Sequence, residues 1–390
     1  MKHRVWVEID LATLVANYRK ITAKVSPAEV MCVLKANAFG LGVRPYARTL
    51  AKAGCRVFGV AEPFEALELK QELSETVPEL AGACEVQVLS SVLPDEIDSM
   101  VESGVTLPVV DPITAKAISS SAAASGKVAR IHFKLDTGMG RLGVVADCEE
   151  EIPSVLALMK EVKSLPSIEC EGVFSHFSMA YDPHDPFTKK QIAVFRKIVA
   201  EAGREGLVFD KVHIAASDAI NNFPECSRPP FNMVRTGINL HGSFDPNGRH
   251  ALNVEPVLAL KTRVAQVRSL PAGMTIGYGR TWCLRRPARV ATISAGYADG
   301  LPLALSNRGK VIIGGRLCPV IGRVSMDYTT VDVSDVPGVS AGDEVICFGR
   351  SGDISIAPDD WAVIKGTHAY DILCSLGSRV ERIAVPGRPD

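Results

Sequence analysis

Between residues 10 and 245, short apolar β-branched runs alternate with stretches in which apolar positions recur every three or four residues. Asp10 is placed to cap a helix, and the apolar residues at 11, 14, 15, 18, 21 and 25 give that helix a single buried face. The runs predict eight strands, at 30–35, 56–61, 85–90, 105–110, 129–135, 171–177, 211–217 and 231–236. Helical periodicity occupies intervals such as 63–73, 112–124, 152–163 and 187–204. Strands that alternate with helices pair in parallel, and eight such units predict an α/β fold, a (β/α)8 TIM-type barrel. An open doubly wound sheet is the competing fold, but no Gly-x-Gly-x-x-Gly follows the first strand.

From about residue 250 the pattern changes. Strand-like runs at 264–267, 289–293, 310–313, 316–320 and 344–347 follow one another with little helix between them, and Gly314-Gly315 signals a tight hairpin. The chain therefore divides into a barrel over 10–245 and a C-terminal, mostly β domain over 246–390. The extended stretch Arg4–Glu8 precedes the first barrel helix, so residues 1–9 are expected to pair with the β domain.

Composition narrows the function classes. The 390 residues are 47% hydrophobic and 22% charged with a net charge of −1, an ordinary globular balance with no basic excess for neutralising phosphates of nucleic acid. No apolar run approaches the roughly 20 residues of a membrane span, and the N-terminus reads as lacking a secretory signal. Ten scattered cysteines without a Cys-x-x-Cys pair fit reduced, mostly buried thiols and no metal site. These features predict a cytoplasmic protein.

Chemistry collects where the barrel strands end, the face that lines one shared pocket in such folds. Lys35 ends the first strand and precedes a Gly-containing loop. An amine held there and partly desolvated can form a Schiff base with a carbonyl. The fifth strand runs into Lys134-Leu135-Asp136-Thr137-Gly138-Met139-Gly140-Arg141, the sixth ends at His176, the seventh at Ser217 and the eighth at Arg235. Ser217 and the Thr236-Gly237-Ile238 turn lie on the last two strands, where barrels commonly hold a phosphate on backbone N–H groups. A Schiff-base lysine with a phosphate cradle suggests pyridoxal phosphate (PLP).

Seven ordered segments then carry a resemblance over nearly the whole chain. They are Leu34–Gly40, Lys134–Gly143, Ser175–Phe177, Met233–Ile238, Gly277-Tyr278-Gly279, Gly296–Gly300 and Gly322–Asp327. Through them the chain resembles the alanine racemase family of fold type III PLP enzymes. The resemblance implies L-alanine/D-alanine interconversion by two bases, Lys35 on one face of Cα and Tyr278 of the partner subunit on the other, within a homodimer that shares its active sites. It implies that a His176–Arg235 pair supports Tyr278, and that Arg235 donates to the pyridine nitrogen. Arg141 would contact the substrate carboxylate and the cofactor's phenolic oxygen, oriented by Lys134 as a carbamylated lysine. Ser217, Gly237, Ile238 and Tyr370 would take the phosphate; Tyr297 and Met326, with Asp327, would line the partner's pocket. Supply of D-alanine for peptidoglycan follows from the family.

Three positions depart from the family's usual pattern. Phe39 stands where a phosphate-binding tyrosine is common, Leu41 where a histidine is common, and Ala216 where an asparagine is frequent. None is a proton-transfer residue, so they bear on cofactor affinity and specificity. The rival readings are a racemase acting on serine, lysine or arginine, a PLP-barrel decarboxylase, and a non-enzymatic PLP carrier of one barrel. The decarboxylase reading lacks its usual cysteine-containing acid motif, and the carrier reading leaves the β domain without a role.

Overall fold

The computed structural model describes residues 3–245, 248, 250–385 and 387. The expected boundary after residue 245 meets Pro246 and Asn247, which lie outside the described residues. Asp10 caps the first helix, Leu11–Val25, its carboxylate accepting the Thr13 N–H at 2.9 Å. Leu14, Ile21 and Val25 face inward from that helix, and each fully buried aliphatic side chain contributes about 1.5–3 kcal/mol.

Eight parallel strands form the barrel. Met233–Thr236, Glu29–Val33, Val57–Val60 and Glu85–Val88 pair in that order. Leu107–Val109, Ala129–Asp136, Ile168–Phe174 and Lys211–His213 form a second arc. A parallel bridge between Gln87 and Thr106 joins the arcs on one side. On the other, the N–H groups of Asn232 and Arg235 reach the carbonyls of Val212 and Ala215, both at 3.1 Å. The ladder therefore closes, and strand ends from all round the ring face one mouth.

Among the described residues, nine other strands form a separate, mainly antiparallel sheet around the long strand Leu258–Leu270. It pairs with Ala288–Ile293, Glu344–Ser351 and the N-terminal strand Val5–Asp10. Val5–Asp10 also pairs in parallel with Glu381–Val385, so both ends of the chain meet in one sheet. Lys310–Ile313 and Arg316–Pro319 form a two-residue hairpin. Its central Gly314 and Gly315 have φ of 56° and 71°, the left-handed pair such a turn requires. All ten cysteines are free, six of them buried.

Candidate active site

The apolar strand Glu29–Val33 runs through buried Leu34 to Lys35, and the backbone then turns the wrong way. Ala36, Asn37, Ala38 and Phe39 have φ of 52°, 53°, 53° and 58°, a left-handed turn built without glycine at about 1–2 kcal/mol per residue. Neighbours hold it in place. The buried carboxylate of Glu65 accepts the Ala36 N–H at 2.5 Å through one oxygen, and those of Ala61 and Glu62 at 2.9 and 3.0 Å through the other. The Asn37 side chain accepts the Val43 N–H at 2.7 Å. Lys35 is left accessible at the barrel mouth. Partial desolvation by the rim, then the positive charge of Arg141, lowers its pKa from the ordinary lysine value.

Arg235 is 4% exposed and lies across the floor of this mouth. It donates to the carbonyls of Ser175 at 2.8 Å and Ile214 at 3.0 Å, to His213 Nδ1 at 2.7 Å and to His176 Nδ1 at 3.2 Å. A guanidinium only donates, so His176 accepts through Nδ1 and carries its proton on Nε2. Burial, then the charges of Arg235 and Arg141, hold the His176 pKa well below the imidazole range. Burial and Arg141 push Arg235 down to about 9, which leaves it a cation at neutral pH.

Lys134 is also buried. Its ammonium donates to the Leu89 carbonyl at 2.6 Å and sits 4.7 Å from the centre of the Phe174 ring. Burial, followed by repulsion from Arg235 and Arg141, brings its pKa down to about 7. The nearby carboxylate of Asp136 is already engaged. It accepts the N–H groups of Gly138, Met139, Gly140 and Arg141 at 2.8–3.0 Å. Burial alone would raise its pKa, but these four donors outweigh that and lower it. Asp136 thus shapes the loop that presents Arg141.

On the far side of the mouth Ser217 opens the short helix Ser217–Asn222 and accepts the Gly237 N–H at 3.1 Å. A Cβ on Gly237 would come within 2.8 Å of Phe39 Cζ, so only glycine lets that ring and this turn pack together. Phe39 also packs against Tyr370, with ring centres 5.6 Å apart. Burial, then the charges of Asp218 and Asp245, raises the Tyr370 pKa.

These residues fit PLP and a carboxylate substrate. Lys35, Lys134, Arg141 and Arg235 repel one another across one mouth, and the intervening Asp136 is spent on backbone donors. The surplus of positive charge suits anions. The Ser217 hydroxyl and the turn that follows Gly237, whose own N–H is given to Ser217, are neutral groups of the kind that hold a phosphate.

Apart from Tyr370, the β-domain candidates stand away from this cluster. Tyr278 is 74% exposed, on a turn between Gly277 and Gly279, both at φ 69°. Tyr297 and Met326 are exposed on two loops that are tied together. The Tyr297 and Ala298 N–H groups reach the Ser325 and Met326 carbonyls at 2.9 and 3.1 Å. Arg379 clamps the same loops, gripping buried Asp299 through two nitrogens at 2.7 and 3.1 Å and Asp327 at 2.8 Å. Asp327 is therefore engaged in an ion pair.

Sequence reasoning did not find Glu65, the supporting role of Asp136, or His213. Glu65 sits in a capping box at the start of the helix Pro63–Thr76, a signal that explains the cap but not its reach to Ala36. Asp136 followed within four residues by two glycines was the visible sign of a carboxylate-centred loop. His213 interrupts a short apolar run, which is its only mark.

Residues 9–245 match the family model for the alanine racemase N-terminal domain, and residues 257–384 match that for the alanine racemase C-terminal domain. The chain is 38% identical to the alanine racemase of Chlorobaculum tepidum over 380 residues, 97% of this chain and 94% of that protein. Among solved structures it resembles the alanine racemase of Streptomyces coelicolor, with a TM-score of 0.90 at 31% identity, covering 98% of both chains. It also resembles that of Bartonella henselae with covalently bound pyridoxal phosphate. There the TM-score is 0.85 at 31% identity, covering 98% of this chain and all of that one.

Proposed function

The chain belongs to the alanine racemase family, and on that premise we propose that it interconverts L-alanine and D-alanine with PLP. The observation that carries the reading is the meeting of Lys35, His176, Arg235, Arg141 and Lys134 at one barrel mouth, with Ser217 and Gly237 opposite. PLP, when bound, draws electrons from the Cα of an amino acid and makes its proton removable. Lys35 would hold the cofactor's aldehyde carbon; Ser217, Gly237, Ile238 and Tyr370 would hold its phosphate. Phe39 contributes only a ring edge to that cradle.

Racemisation needs an acid/base group on each face of Cα. Lys35, with its lowered pKa, serves one face. Tyr278 of the partner subunit serves the other, which accounts for a tyrosine left exposed on the β domain. A free tyrosine titrates near 10, so the phenolate needs help. His176 has the right proton for this, on Nε2, because Arg235 occupies Nδ1. Arg235 keeps its own proton, leaves the ring nitrogen unprotonated and so moderates the electron sink, which disfavours transamination.

Arg141 binds the substrate carboxylate. Lys134, with a pKa of about 7, has a neutral fraction able to add CO2. The resulting carbamate would replace a repelling cation with an anion for Arg141. Tyr297, Met326 and Asp327 line the pocket mouth of the partner. The working unit is a homodimer in the cytoplasm, feeding D-alanine to peptidoglycan synthesis; no described helix is long and apolar enough to cross a membrane.

The test is circular dichroism of L-alanine with the PLP-loaded protein, beside L-serine, L-lysine and L-arginine. Decay of the alanine signal to zero is the expected result. Decay with another amino acid alone would move the substrate, and no decay with any of the four would overturn the reading.

A further inference from the structure

Small barrel interiors are filled by apolar side chains, yet two imidazoles occupy the middle of this one. His132 and His213 are 1% and 0% exposed. Gly172 makes the room, since a Cβ there would lie 2.6 Å from the His132 ring. Phe174 stacks flat on His213, with centroids 5.0 Å apart and planes 4° apart.

Their hydrogen bonds form one line. Arg235 reaches His213 Nδ1 at 2.7 Å, His213 Nε2 meets His132 Nδ1 at 3.1 Å, and His132 Nε2 meets Glu171 Oε2 at 3.1 Å. The two ends set its direction, because a guanidinium only donates and a carboxylate only accepts. Both rings are therefore neutral with the proton on Nε2, each passing one bond onward. Burial lowers the pKa of both, which agrees with neutral rings. Beyond Glu171 the line meets a group of charges: Lys211 bonds Glu171 at 3.0 Å and also pairs with Glu85, beside Arg130 at 3.6 Å.

We infer that Glu171 is a remote positioning residue for Arg235, supplying through His132 and His213 the negative charge that balances and orients the buried guanidinium. The other acceptors of Arg235 among the described residues are carbonyls and the His176 ring, all uncharged. A buried cation without a linked anion is costly. The same guanidinium nitrogen that holds His176 also bonds the Ser175 and Ile214 carbonyls, so a rotation of Arg235 would move His176 with it. The inference rests on the proposal that Arg235 faces the cofactor ring, and it adds a determinant seated in the barrel interior.

The experiment combines NMR of the protein labelled with 15N-histidine with absorbance of the PLP-loaded protein. In the wild type His132, His213 and His176 should all be neutral with the proton on Nε2. Glu171→Gln keeps an acceptor oxygen but removes the charge. It should shift the His213 and His176 resonances, displace the visible absorbance band, and lower kcat about tenfold with KM within about twofold, the scale of one charge-assisted hydrogen bond. Glu171→Asp keeps the charge and should return the band toward wild type, whatever both variants lose in melting temperature. A proton on His213 Nδ1, or a Glu171→Gln protein with His176 and the band unmoved, would overturn the inference. The tautomer measurement needs no turnover, so it fails or stands separately from the proposed reaction.

Discussion

Replacing Glu65 by glutamine is expected to loosen Lys35 without touching it. The carboxylate accepts three backbone N–H groups with two oxygens. A carboxamide has one acceptor oxygen, which can serve Ala36 or the Ala61–Glu62 pair but not both, and its NH2 then faces a buried N–H. The direct loss is one charge-assisted hydrogen bond plus an unpaired donor, about 2–3 kcal/mol. The left-handed turn of Ala36–Phe39 stores roughly 4–8 kcal/mol over four residues, so the Ala36 anchor opposes a substantial part of that strain. Urea denaturation of Glu65→Gln should show the 2–3 kcal/mol loss, about that of one such bond. Amide exchange at residues 36–41 should quicken by roughly thirtyfold beyond the rest of the barrel. Borohydride trapping of PLP on Lys35 should slow in parallel. Lost stability with unchanged exchange at 36–41 and unchanged trapping would refute the claim that Glu65 holds the lysine's turn.

Two further outcomes follow from the site. Lys134 titrates at about 7 in the folded chain and near 10.4 when unfolded, so between these values the unfolded chain binds more protons. Stability of the PLP-free protein in CO2-free buffer should therefore rise with pH across about 7 to 10. Lys134→Met should flatten that rise, and equal slopes for both proteins would contradict it. Phe39→Tyr puts a hydroxyl at the ring carbon beside Gly237 and should tighten PLP binding by about five- to tenfold, one hydrogen bond's worth. Equilibrium dialysis checks this; weaker binding would show that Gly237 leaves no room for the oxygen.

Alternation of apolar runs and amphipathic stretches was enough to locate all eight barrel strands, because each carries a short buried apolar run. Two strands are partial cases: 171–177 forms at Ile168–Phe174 and stops before His176, which sits on the loop beyond, and 211–217 forms only at Lys211–His213, with Ser217 in the helix that follows. In the β domain the reading caught 264–267 but not the full Leu258–Leu270, since Lys261 and Arg263 interrupt the apolar pattern while pairing in the ladder. The helices Pro358–Lys365 and Ala369–Cys374 were not foreseen at all. Lys35, Lys134, His176 and Arg235 were legible as polar residues ending apolar runs, and Arg141 only through the family resemblance. Glu65 and Glu171 were not, because their roles depend on contacts across the fold, and periodicity carries no distance between elements. The left-handed turn was equally hidden, as no glycine marks Ala36–Phe39.

The central claim is that each active site takes Lys35 from one subunit and Tyr278 from the other. Its most direct test mixes two inactive dimers, Lys35→Ala and Tyr278→Phe, under conditions that exchange subunits. A mixed dimer would own one site with both residues intact, so random exchange should restore about a quarter of wild-type L-alanine racemisation. Activity that stays at the level of the separate variants, with mixed dimers demonstrably formed, would contradict a shared two-base site.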